Sequence, residues 1–188
     1  MLKGGILILA AGRSRRFGAD KRRARLPDGK TLLEASVRNA QASGLPCLLC
    51  LSPGDGANPP VADVPLHIAA GAERGMGATL ASGAGTVSDW DFVIVALGDM
   101  PWIRPGTLQA VAAAASRERI VVPSYKNQRG HPVAFGADFL PALRRLDGDR
   151  GGRAIVSAHP DAVFELALND PGVISDVDKP TDIRDRKP

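Results

Sequence analysis

Short apolar runs separated by helix-like segments are the feature that most constrains how this chain can fold. The clearest run, Phe92–Leu97, reads FVIVAL, and its length and composition are typical of a strand that is buried on both faces. Between such runs, apolar residues recur at helical spacing, as they do in Lys30–Ala42. Alternating strands and helices predict an α/β fold with a mostly parallel central sheet that helices cover on both faces.

The same patterns predict the individual elements. We expect strands at Gly5–Ala10, Cys47–Leu51, Leu66–Ala69, Phe92–Leu97, Ile120–Pro123, Val133–Phe135 and Val163–Ala167. We expect helices at Lys30–Ala42, Gly75–Gly85, Gly106–Ser116, Asp138–Leu146 and Arg153–His159. The Gly- and Pro-rich stretch Ser52–Pro65 reads as a surface connection, because too little chain precedes it to form a separate core. We therefore expect residues 1–188 to form a single domain.

Composition excludes several classes of function. The net charge is only +4 over 188 residues and aromatic residues make up 4%, so we expect no nucleic-acid partner. No apolar run approaches the roughly 20 residues of a membrane helix, so we expect no membrane partner. The apolar start of the chain is too short for a signal peptide, and arginines follow it at once. The sequence therefore predicts a cytoplasmic protein.

Cys47 and Cys50 have the C-x-x-C spacing of redox and metal pairs. Zinc needs about four ligands, and the sequence holds no second cysteine pair. The segment around them reads as a buried strand, in which residues three apart point to opposite faces. We therefore favour two buried structural thiols over a reactive pair.

The first predicted strand runs into a loop of small and basic residues. Small residues at the carboxyl end of a strand let backbone N–H groups approach a phosphate closely. The arginines and the lysine of the loop supply positive charge for a polyphosphate. The pattern is neither a dinucleotide fingerprint nor a P-loop, and a turn followed by a solvated basic patch remains the alternative. The small residues are Ala10, Ala11 and Gly12, and the basic residues are Arg13, Arg15, Arg16 and Lys21.

Carboxylates after the strand Phe92–Leu97 and near the end of the sequence suggest a metal site. Asp99 lies two residues beyond the strand Phe92–Leu97, at the sheet edge that also carries the opening loop. Mg²⁺ binds through one or two carboxylates together with phosphate oxygens. Asp176, Asp178 or Asp182 could supply a second carboxylate. The alternative is that Asp178 or Thr181 caps a helix and that Asp182 lies in its first turn.

Several motifs of the sequence resemble those of the nucleotidyltransferases related to molybdenum cofactor biosynthesis. The resemblance is carried by five motifs in the expected order over nearly the whole chain. Ala10-Ala11-Gly12 is similar to the cytidylyltransferase branch, whereas the guanylyltransferase branch usually has Ala-Gly-Gly. The motifs are LAAGRSRRFGADK at 9–21, LGDMP at 97–101, GHPV at 130–133, GDRGGR at 148–153 and DVDKP at 176–180.

The resemblance implies a three-layer α/β/α, Rossmann-like nucleotidyltransferase fold. It implies transfer of CMP from CTP to the terminal phosphate of the molybdopterin cofactor, with release of pyrophosphate. It further implies an N-terminal half that binds the nucleotide and a C-terminal half that binds the acceptor. A molybdoenzyme or its chaperone would be a further partner.

Residue roles follow from the same resemblance. Asp99 and Asp178 would hold Mg²⁺, and Arg15, Lys21 and Asp99 would be catalytic. The acceptor would meet His131, Asp149 and Arg153. The nucleotide would meet Ala10, Ala11, Gly12, Arg13, Ser14, Arg15, Lys21, Thr79 and Gly98.

The chain departs from the family pattern in places. Thr31 replaces a proline, Gly152 replaces an alanine, and Lys179 stands where threonine is common. The additional arginines that follow Lys21 would either strengthen anion binding or be solvated. Three other functions stay open: guanylyl transfer to the same cofactor, nucleotidyl transfer to another small phosphorylated acceptor, and a non-enzymatic protein that carries the cofactor.

Overall fold

The computed structural model describes residues 2–12, 17, 19–61 and 63–184. Its eight described strands are β1 (Gly4–Leu9), β2 (Cys47–Leu51), β3 (Leu66–Ile68), β4 (Phe92–Leu97), β5 (Ile120–Tyr125), β6 (Gln128–Arg129), β7 (Val133–Gly136) and β8 (Val163–Ala167). Its described α-helices are α1 (Leu32–Ala42), α2 (Met76–Thr86), α3 (Pro105–Ala114), α4 (Leu140–Leu143), α5 (Arg153–Ala158) and α6 (Pro180–Arg184). Short 3₁₀ turns include Lys21–Arg23, Pro53–Asp55 and Ala72–Arg74.

The strands form one mostly parallel sheet with the order β3-β2-β1-β4-β7-β5-β6, and β8 also pairs with β5. Strands β1 to β4 are mutually parallel where they pair, and β5 pairs with β8 in parallel. Strand β7 lies antiparallel between β4 and β5. The order places β1 and β4 side by side at the centre, so that the turns following them are neighbours.

Helices cover both faces of the sheet, as a strand buried on both sides requires. Alternate residues of β1 point to opposite faces. Ile6 and Ile8 pack in the core that α1 and α3 complete, and Leu7 packs in the core that α2, α4 and α5 complete. All three side chains are at most 1% exposed, and each contributes about 1.5–3 kcal/mol of hydrophobic stabilisation. The expected three-layer α/β/α fold is confirmed.

Most predicted elements lie within two residues of those observed. Helix α1 begins later than predicted because Thr31 is its N-cap: the Thr31 hydroxyl accepts from the Glu34 N–H, and the Glu34 carboxylate accepts from the Thr31 N–H. The predicted helix Asp138–Leu146 is wrong in length. It is a 3₁₀ turn followed by the four-residue α4. Pro141 delays the start of the α-helix because it has no N–H to donate to a preceding carbonyl, and beyond Leu143 the bonds of Arg145 and Leu146 are those of tighter turns.

A hairpin between β5 and β6 was not predicted. Its turn places Lys126 and Asn127 at positive φ, of 49° and 63°. Neither residue is a glycine, so the sequence carries only the weak signal of an asparagine in the turn.

The two cysteines lie on opposite faces of β2, as predicted. Cys50 is fully buried in one core, and Cys47 packs against the other. Both are free thiols. Burial raises the pKa of Cys47 to about 11 and that of Cys50 to about 12, so both are protonated at neutral pH and unsuited to thiolate chemistry. Within the described part of the chain, no helix is long and apolar enough to cross a membrane.

Candidate active site

The turns after β1 and β4 meet because the two strands pair in parallel and end at the same level, with Leu9 opposite Leu97. The Gly98 N–H donates to the Leu9 carbonyl at 3.0 Å. A Cβ on Gly98 would lie 2.9 Å from a Leu33 methyl group and 3.0 Å from the Ala10 Cβ. Glycine at this position therefore allows the turn that carries Asp99 to close against the opening loop.

Lys21 lies within a cluster of oxygen atoms at this edge. Its ammonium group donates to Asp99 Oδ2 at 2.6 Å and to the Val177 carbonyl at 3.0 Å. Asp178 Oδ1 lies 3.8 Å from the same nitrogen. Three segments that are far apart in sequence thus meet at one positive charge. Among the described residues, the second oxygen of Asp99, Oδ1, is buried and has no hydrogen-bond partner.

The three aspartates near the end of the chain have different surroundings. Asp178 is the one that faces Lys21. Asp182 accepts hydrogen bonds from the backbone N–H groups of Asp178 and Lys179, at 2.8 and 2.7 Å. Asp182 thus lies in the first turn of α6, as the capping alternative predicts, and its carboxylate satisfies backbone N–H groups at the start of that helix. Asp176 is exposed and lies close enough to His131 to act on its charge.

A cleft of about 490 Å³ opens beside Lys21 and Asp99. This volume suits a small-molecule ligand. Nine of the predicted site residues line the cleft: Ala10, Ala11, Gly12, Lys21, Thr79, Gly98, Asp99, Asp149 and Asp178. The structure thus brings together predicted residues from six separate stretches of the chain.

One wall of the cleft is formed where residues 147–152 rest on the start of α2. The Gly77 N–H donates to the Gly148 carbonyl at 2.7 Å. A Cβ on Gly77 would lie 2.6 Å from the Arg150 carbonyl oxygen, and one on Gly75 would lie 2.3 Å from Asp149 Oδ1. The absence of side chains on both glycines lets the segment expected to face the acceptor touch the segment expected to face the nucleotide.

The remaining predicted site residues are Arg13, Ser14, Arg15, His131 and Arg153. Arg13, Ser14 and Arg15 fall outside the described residues. Arg153 is exposed at the first turn of α5 and does not line the cleft.

His131 also stands apart from the cleft lining. Its backbone N–H donates to the Val173 carbonyl at 2.8 Å. Burial lowers the pKa of His131, and the charges of Asp99 and Asp176 oppose that shift in part. With its pKa lowered from an already near-neutral value, His131 is neutral at pH 7, and it lies close enough to Asp99 and Asp176 for their charges to act on it.

Sequence reasoning missed the role of Arg22. Its side chain lines the cleft beside Lys21, but its guanidinium group pairs with carboxylates and is not surrounded by solvent. Arg22 contacts both Asp20 and Asp55. The Asp-x-Arg spacing is the only local signal, and Asp55, far along the chain, carries none.

The carboxylates at this edge suit a hard cation. Among the described residues, no three His, Cys, Asp or Glu side chains come together as a metal cage. Mg²⁺ does not require such a cage, because it is usually held by one or two carboxylates together with substrate phosphates and water. The buried oxygen of Asp99 that has no hydrogen-bond partner among the described residues, together with the nearby Asp178, would suit as a donor set of this kind.

Comparison with known proteins identifies the family and the fold. The protein-family model described as "MobA-like NTP transferase domain" matches residues 6–163. The chain belongs to this family. The Rv0371c protein of Mycobacterium tuberculosis H37Rv, a solved structure, shares the fold with a TM-score of 0.84 and 30% identity, over 97% of this chain and 96% of that one. A complex of Rv0371c with manganese matches with a TM-score of 0.79 and 28% identity, over the same shares of the two chains.

A curated relative is named "Probable molybdenum cofactor guanylyltransferase" and comes from Chloroflexus aggregans (strain MD-66 / DSM 9485). It is 39% identical over 116 residues, which are 60% of this chain and 53% of the relative. This chain therefore spans about half the length of that relative.

The contact between α2 and residues 147–152 is tested by two alanine substitutions in one helix. Gly77→Ala places a methyl group against three backbone carbonyls and should destabilise the protein by about 1–3 kcal/mol. Gly85→Ala is the matched control, because a Cβ there meets nothing within 4 Å. It should stabilise the protein by about 0.5–1 kcal/mol through helix propensity. Urea unfolding measures both, and equal effects of the two changes would contradict the contact.

Proposed function

We propose that this protein transfers CMP from CTP to the terminal phosphate of a molybdopterin-type acceptor and releases pyrophosphate. The observation that carries the proposal is the meeting of Lys21, Asp99 and Asp178 beside a cleft lined by Ala10 and Ala11. A cation and carboxylates at the carboxyl edge of a parallel sheet suit a phosphorylated ligand.

The proposed reaction needs no protein nucleophile. An oxygen of the acceptor phosphate attacks the α-phosphorus of the nucleotide, a new P–O bond forms, and the bond to the β-phosphate oxygen breaks as pyrophosphate leaves. The protein aligns two anions and neutralises the charge that develops between them. Lys21 supplies a positive charge there, and the small residues Ala10, Ala11 and Gly12 let the nucleotide approach the backbone closely.

Asp99 and Asp178 would hold Mg²⁺. Bound there, the ion would neutralise phosphate charge and polarise the phosphoryl group. Lys21 lies between these carboxylates, so its ammonium group balances their charge before the nucleotide enters. We infer that Lys21 turns towards the phosphates when a triphosphate binds.

The choice of base has two candidates. Ala11 favours CTP, because the cytidylyltransferase branch has Ala-Ala-Gly at these positions. The name of the Chloroflexus relative favours GTP, and guanylyl transfer to the same acceptor is therefore the second candidate.

The proposed function is tested by the rate of pyrophosphate release with a molybdopterin acceptor and either CTP or GTP. We expect the larger kcat/KM with CTP, and a smaller ratio of CTP to GTP activity in Ala11→Gly. A larger kcat/KM with GTP assigns the protein to guanylyl transfer. If neither nucleotide leads to pyrophosphate release and the acceptor still binds tightly, the protein is a carrier of the cofactor and not an enzyme.

Asp99→Asn tests the metal assignment, since it removes the charge and keeps the shape. We expect pyrophosphate release to fall by about 10²–10³-fold, weaker Mn²⁺ binding in electron paramagnetic resonance titrations, and a folded protein by circular dichroism. The control is Asp63→Asn, which changes an exposed aspartate away from the cleft. Full activity of Asp99→Asn would refute the role of Asp99.

A further inference from the structure

Arg22 joins three separate segments through five side-chain hydrogen bonds. Its Nε and one terminal nitrogen donate to the two oxygens of Asp20, at 2.7 and 2.8 Å. The terminal nitrogens donate to the two oxygens of Asp55, at 2.7 and 2.9 Å. One of them also donates to the Ala10 carbonyl at 2.9 Å. Planar forks of this kind fix both distance and orientation.

The positive charge of Arg22 is balanced by the carboxylates of Asp20 and Asp55. Its side chain is only 14% exposed and that of Asp55 only 11%. Hydrogen bonds from Arg22 lower the pKa of Asp20. Burial alone would raise the pKa of Asp55, but hydrogen bonds from Arg22 and Ser52 outweigh it and lower that pKa. Two ionised carboxylates therefore surround one guanidinium group, and Arg22 is neither solvated nor available to a phosphate.

The Arg22 bridge, which consists of Arg22 with Asp20, Asp55 and the Ala10 carbonyl, lies at the nucleotide end of the cleft. Ala10 begins the opening loop directly after β1, and its N–H donates to the Cys50 carbonyl at the end of β2. Asp55 closes the turn after β2, where it also bonds to the Ser52 hydroxyl at 2.6 Å. The bridge therefore ties the opening loop to the turn after the neighbouring strand.

The same bridge sets the position of Lys21. Lys21 and Arg22 are adjacent in the 3₁₀ turn Lys21–Arg23, which Asp20 caps by accepting from the Arg22 N–H. With Arg22 anchored on one side of this turn, the ammonium group of Lys21 reaches Asp99 on the other. Loss of the anchor frees the turn, and a displacement of about 1 Å at a phosphate-binding group is enough to weaken its action.

We propose that Arg22 is a positioning residue of the nucleotide site, which holds the Ala10–Gly12 backbone and Lys21 in the arrangement that receives the triphosphate. The proposal rests on the proposed function, because it assumes that a nucleoside triphosphate binds this cleft.

Arg22→Gln tests this role, with Arg23→Gln as the matched control. Arg23 belongs to the same turn and lies 3.7 Å from Asp20; its further hydrogen bond goes to the Asn58 carbonyl. We expect Arg22→Gln to weaken CTP and GTP binding by about tenfold or more in calorimetry, and to raise KM for the nucleotide much more than KM for the acceptor. Arg23→Gln should change neither by more than about twofold.

Two further variants distinguish the loss of positioning by Arg22 from the effect of leaving the buried Asp55 carboxylate without its partner. Arg22→Gln leaves Asp55 buried without its partner, which is itself unfavourable. The double variant Arg22→Gln/Asp55→Asn removes that charge and should restore thermal stability without restoring nucleotide binding. Arg22→Lys keeps the charge but lacks the fork, and should recover only part of the affinity. Recovery of full affinity by the double variant would overturn the positioning role.

Hydrogen exchange tests the bridge without any nucleotide. In Arg22→Gln, amides of the peptide that ends at Gly12 and of the turn 52–56 should exchange about five- to tenfold faster, the effect of roughly one lost hydrogen bond. Helix α3 should be unchanged. Unchanged exchange together with unchanged nucleotide affinity would overturn the proposal. Wild-type protein that binds neither CTP nor GTP would overturn the proposed function instead, and exchange would still decide whether Arg22 holds the loop.

Discussion

The parallel pairing of β1 with β4 is the constraint on which the site depends. Six consecutive residue pairs hold the two central strands in register, from Gly4 opposite Phe92 to Leu9 opposite Leu97. Both strands are buried on both faces, so a slip by one residue would turn every apolar side chain to the wrong core. The register therefore delivers the opening loop and Asp99 to one edge at one level.

Charge balance then organises that edge. The single ammonium group of Lys21 holds Asp99, the Val177 carbonyl and the nearby Asp178 together, and the Val177 N–H donates back to the Asp99 carbonyl at 3.1 Å. These contacts bring the end of the chain onto the sheet, where it completes the cleft. Under the proposed function, ligand phosphates would compete with the carboxylates for Lys21, and Lys21 would change partners when the nucleotide binds.

Much of this could be predicted from the sequence. Buried strands such as Phe92–Leu97 are recognisable because they are continuously apolar, and Asp99 stands out because it follows such a strand. Contacts between distant residues could not be predicted. Two examples are the Arg22–Asp55 pair and the contact of Gly77 with residues 147–152. Both depend on how loops meet after folding, and no local sequence pattern indicates either contact. The antiparallel β7 between β4 and β5 was likewise beyond the reach of strand periodicity.

The most direct test of the account is a crystal structure with CTP and Mn²⁺, in which anomalous scattering locates the metal independently of the protein atoms. The account predicts a manganese peak within coordination distance of Asp99 and Asp178, a triphosphate along Ala10–Gly12, and Lys21 on the phosphates. A nucleotide bound away from this edge, or a metal with no contact to Asp99, would contradict it.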